Sequence, residues 1–74
     1  MICLISPTYE QARKFADTQS LYSDEWFYAS DELTVKHRSN FHVLVVGEFP
    51  DERLGWFEKI YSLARRRGRN DWHN

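Results

Sequence analysis

The sequence predicts one small α/β domain built on a parallel three-stranded sheet. Three observations lead there: apolar runs without alternation at residues 1–5 and 41–46, helix-start signals after both runs, and a long connection between the second and third strand candidates. Short unbroken apolar runs suit strands covered on both faces, as in parallel sheets. Seventy-four residues leave room for a single core, and a chain of this size buries only about 60% of its unfolded surface. The domain is expected over residues 1–68, with a polar tail at 69–74.

Residues 1–5 form the first expected strand. Ser6-Pro7-Thr8 then signals a helix start, either with Ser6 as cap and Pro7 at the first helical position or with Thr8 capping in a box with Gln11. Tyr9, Ala12 and Ala16 share a stripe with Phe15 beside it, and the helix should fade at residues 18–20. The aromatic stretch Glu25-Trp26-Phe27-Tyr28-Ala29 reads as the second strand. Ser30-Asp31-Glu32-Leu33 suits a cap and a short helix, and residues 36–40 read as a loop. Val43-Leu44-Val45-Val46 is the strongest strand signal, closed by Gly47.

The last helix opens at Phe49-Pro50-Asp51-Glu52, whose acids favour a helix start. Leu54, Phe57, Ile60, Tyr61 and Ala64 form its expected buried stripe, widened by Trp56 and Leu63. Gly55 costs about 1 kcal/mol relative to alanine inside a helix, which suggests close packing there. Gly68 suits the position after the helix end. The order is β-α-β-(short helix)-β-α, with expected sheet order 2-1-3, half of a Rossmann-like unit. The rival is an antiparallel hairpin of the second and third strands, which would need an unusually long loop.

Charge and motifs exclude several function classes. Ten basic and eleven acidic side chains give a net charge of −1, so the chain as a whole is no polyanion binder. Cys3 is the single cysteine; in its apolar run it reads as a buried, inert thiol suited to a reducing cytoplasm. No apolar stretch approaches the ~20 residues that span a bilayer, and no basic region precedes the first apolar run as in a signal peptide. A cytoplasmic location is therefore expected.

The sequence has no G-x-G-x-x-G fingerprint and no G-x-S-x-G elbow. His37, His42 and His73 lack metal-ligand spacing. Ser6, Thr8, Asp31 and Glu48 would gather at the carboxyl edge of the sheet, where α/β folds bind ligands, but caps and solvated acids explain them. No catalytic residue, cofactor or metal is expected.

The turn Pro7-Thr8-Tyr9-Glu10-Gln11-Ala12 resembles the Pro-Thr-x-x-x-Ala strand-to-helix turn that follows the nucleotide-binding loop in helicases and phage terminases. There it contributes to nucleic-acid contact. This chain lacks the Gly-rich loop ending in Lys-Ser/Thr, so ATP hydrolysis does not carry over.

Over its whole length the chain also resembles small α/β proteins encoded by actinobacterial bacteriophages. The likeness lies in the apolar first strand, the stretch from Ile5 to Ala16, the aromatic strand starting Asp24-Glu25-Trp26, and Val43-Leu44-Val45-Val46-Gly47-Glu48-Phe49. It implies an accessory protein of the host cytoplasm, with no catalytic residues to transfer.

Two interaction readings remain. Three Trp, four Tyr and five Phe are many for so small a chain, and aromatics dominate binding surfaces. Three strands and two helices hardly cover both faces and both edges of a sheet, so a homo-oligomer or a host or phage protein partner is expected. That surface would draw on Trp26, Phe27, Tyr28, Trp56 and Trp72. The alternative is nucleic-acid binding by Arg65, Arg66, Arg67 and Arg69, with Trp72 stacking on a base.

Overall fold

A computed structural model describes residues 1–67 of the protein. The strands are β1 (Ile2–Ile5), β2 (Trp26–Tyr28) and β3 (His42–Val45); the helices are α1 (Tyr9–Thr18), α2 (Glu32–Lys36) and α3 (Leu54–Arg67). The sheet order is β2-β1-β3 and both pairings are parallel, with Ile2 opposite Trp26 on one side and His42 on the other. The expected parallel topology holds; the hairpin does not form.

Thr8 is the cap that starts α1: its hydroxyl accepts from the Gln11 N–H at 3.3 Å. Ser6 is buried, and its hydroxyl donates to the Thr8 carbonyl inside the turn. Asp31 caps α2 by accepting from the Thr34 N–H and hydroxyl, both at 2.8 Å. A 3₁₀ turn, Asp51–Arg53, precedes α3. There Pro50 presets the backbone, and the Arg53 N–H donates to the Pro50 carbonyl at 2.9 Å.

Side-chain alternation along β1 divides the core into two layers. Cys3 and Ile5 point to the side of α2 and α3, where they meet Phe27, Val35, Phe41, Val43, Ile60 and Ala64. Leu4 points the other way, to Ala12 and Ala16 of α1, with Phe15, Trp26, Tyr28, Leu44 and Val46 packed around. Alanines on α1 let the helix lie close to the sheet. Among the described residues Phe41 is the largest fully buried side chain, and its ring meets Phe27 edge-on at 5.2 Å.

Two features of α3 differ from expectation. Leu54 is 42% exposed rather than part of the buried stripe; six residues before Ile60, it lies roughly a third of a turn away from it. Gly55 does not serve close packing, because a Cβ built there meets nothing within 4 Å. Gly55→Ala is therefore expected to stabilise the domain by up to about 1 kcal/mol, seen as a rise of roughly 4–8 °C in thermal midpoint by circular dichroism. Gly47 is different. Its φ of +82°, with Pro7 Cδ and Gln11 Oε1 3.5 and 3.4 Å from an added Cβ, makes glycine the residue that closes β3 against the β1–α1 turn.

Candidate interaction surfaces

The carboxyl edge of the sheet is built of caps. Ser6 spends its hydroxyl within the turn, and its carbonyl accepts from the Tyr28 hydroxyl at 3.3 Å. The two hydrogen bonds from Thr34, backbone first, hold the Asp31 carboxyl below its ordinary pKa. This is what a cap does, and both bonds fall on Oδ1. Among the described residues, no group of three His, Cys, Asp or Glu side chains could hold a metal.

Cys3 is fully buried, and desolvation raises its thiol to about 12, with the Arg38 charge opposing the shift in part. It stays a protonated thiol at neutral pH. Iodoacetamide is expected to label native Cys3 only at the rate of domain opening, and in urea at once. Rapid native labelling, read by mass spectrometry, would contradict this burial.

The aromatic residues separate into three settings. Trp26 and Tyr28 are half-buried on the α1 side and meet Tyr9, at ring-centroid distances of 6.1 and 5.7 Å; Tyr9 is itself 53% exposed. Phe27, between them in sequence, faces the opposite layer and is buried, which removes it from any shared surface. Trp56 lies against Phe49 and beneath the Arg53 guanidinium, on another part of the molecule. Trp72 and Arg69, like Gly68 and His73, lie outside the described residues.

Among the described residues, no strand pairs with the outer side of β3. Hydrogen bonds run from the His42 N–H to the Met1 carbonyl and from the Val46 N–H to the Ile5 carbonyl, at 3.0 and 2.8 Å. By alternation, the N–H and C=O of Val43 and Val45 point away from the sheet. The β2 edge is shorter, and the Ser30 N–H folds back onto the Tyr28 carbonyl at 2.9 Å. On the α1 side, the helix covers β1 and β2 but leaves Leu44 and Val46 half-buried. A shallow, largely apolar groove of about 280 Å³ lies there, lined by Lys14, Phe15, Thr18, Val46 and Gly47 among others.

The amino edge collects positive charge. Both α2 and α3 end there, since the residues after α2 lead into β3 and Arg67 Nε donates to the Arg38 carbonyl at 3.2 Å. Lys36, Arg38, Arg65, Arg66 and Arg67 lie at this end, and Lys36 and Arg66 line one hollow together with Glu32 and Glu58. The Arg38 guanidinium lies 4.4 Å from the Phe27 ring centroid and that of Arg65 5.5 Å from Tyr61. Arg38 escaped the sequence reading because an arginine in a polar loop carries no signal of its own. Toward the opposite edge, before α2 and α3, stand Asp31, Glu48, Asp51 and Glu52. Net charge conceals this polarity.

No protein-family model, curated protein or solved structure matches the chain. Among the described residues, no helix is long and apolar enough to cross a membrane.

Proposed function

We infer that this chain is a non-enzymatic interaction protein that self-associates through β3, an accessory role of the kind its resemblance to phage proteins implies. The supporting observation is the unpaired outer edge of β3 beside an incompletely covered sheet face. Val45 is 43% exposed, and the four-residue strand contains no Lys, Arg, Asp, Glu or Pro, so its shortness is the one common edge guard it carries.

The occupant that fits is a second β3 laid antiparallel. A two-fold axis at Leu44 would place Val43 opposite Val45 of the second copy, so that the outward N–H and C=O groups satisfy one another. About four backbone bonds at roughly 1 kcal/mol each do not offset the ~4–15 kcal/mol cost of association. Apolar contact must supply the rest, from Leu44 against its symmetry mate and from the groove beside Val46.

Sedimentation velocity across micromolar concentrations tests the reading. A dimer is expected, with slowed amide exchange at Val43 and Val45. A monomer at every concentration would sink it.

A further inference from the structure

We propose that the amino edge of the domain, where the ends of α2 and α3 bring Lys36, Arg38, Arg66 and Arg67 together, grips the phosphate backbone of nucleic acid. Four positive charges exceed what the helices themselves call for. A helix carboxyl end carries roughly half a negative charge, so two ends absorb about one of the four, and Glu32 and Glu58 beside Lys36 and Arg66 offset part of the rest. Two of these arginines are held by neutral groups. Arg38 lies over a phenyl ring and Arg67 bonds a backbone carbonyl, so position is fixed while charge is not cancelled.

Guanidinium chemistry favours phosphate. Three of the four cations are arginine, whose planar donor fork matches phosphate oxygens better than a lysine ammonium does. The Phe27 ring behind Arg38 limits how far that fork can turn. Arg65 stands in the same cluster over Tyr61. The acidic opposite edge repels a polyanion, so a bound strand is confined to one end of the molecule. The surface is separate from the β3 edge, and dimerisation would set two such ends into one particle.

The test is fluorescence anisotropy of labelled single- and double-stranded DNA with the full chain between 50 and 200 mM salt. Contact with four phosphates gives a log–log salt slope of about −3 to −4, which is a loss of affinity of roughly sixtyfold or more over that range. The double variant Lys36→Gln/Arg66→Gln is expected to reduce the slope by about 2. Arg13→Gln/Arg53→Gln, away from this end and from the β3 edge, changes net charge equally and is expected to leave the slope unchanged.

Absence of binding at 50 mM salt overturns the proposal, as does binding that both double variants weaken alike. Salt-sensitive self-association without DNA binding, abolished by Lys36→Gln/Arg66→Gln, overturns it in favour of the acidic edge of another copy. Preference for anionic vesicles over DNA overturns it in favour of a lipid surface.

Discussion

Phe41→Ala is expected to cost about 3–5 kcal/mol, the range for removing a buried phenyl ring. Domains of this size are stable by roughly 4–11 kcal/mol in total, so the loss takes about a quarter of the stability at least and can take all of it. Phe41 is fully buried immediately before β3, and its ring meets Phe27 at 5.2 Å. It packs with Cys3, Val35 and Ile60 in the same layer. Removing it leaves a space bordered by both the sheet and the α2–α3 layer, which cannot close together. Thermal denaturation should show a fall of roughly 12 °C or more, while Phe41→Leu should recover most of the difference. A fall of only a few degrees would show that this layer does not carry the fold.

The second large effect concerns association. Val45→Lys is expected to weaken the β3–β3 dimer by roughly a hundredfold, about 2.7 kcal/mol, and to give a monomer at micromolar concentration. A lysine on an edge strand is a common natural guard against pairing. In the two-fold arrangement, each added ammonium lies opposite a valine of the other copy. The side chain is 43% exposed in the isolated domain, so the fold should persist with unchanged circular dichroism. Val43→Lys is the contrast: that side chain is only 5% exposed, and the change should unfold the domain rather than dissociate it. A wild-type dimer that survives Val45→Lys would keep the self-association reading but move its interface elsewhere.

Much of the architecture was legible from local chemistry. The apolar runs of β1 and β3, the Thr8 cap and the Asp31 turn each express a preference within a few residues. The long connection between β2 and β3 already argued against a hairpin. What was not legible depends on direction and distance. Trp26, Phe27 and Tyr28 look alike in sequence, and only the sheet assigns the middle one to the opposite core layer.

A similar limit applied to α3. The stripe contained Ile60 and Ala64 as expected, but the 3₁₀ turn before Leu54 was not read from Pro50 and its acids. The basic end was half visible. Three consecutive arginines stood out, while Lys36 and Arg38 joined them only through the return of the chain into β3. An open edge was foreseeable from too few elements for too much sheet, but the Ser30 bond that occupies an outward carbonyl of β2 was not.

The position of β1 also bears on how the chain is made. β1 is the central strand, yet it precedes both of its neighbours in the sequence. At synthesis rates of about 5–20 residues per second, several seconds separate β1 from the completion of β3. The β1–α1–β2 unit can assemble within that interval, but one side of β1 has no strand to pair with until Val45 emerges. The strand most enclosed in the finished domain is thus the one that waits longest on the ribosome for its last partner.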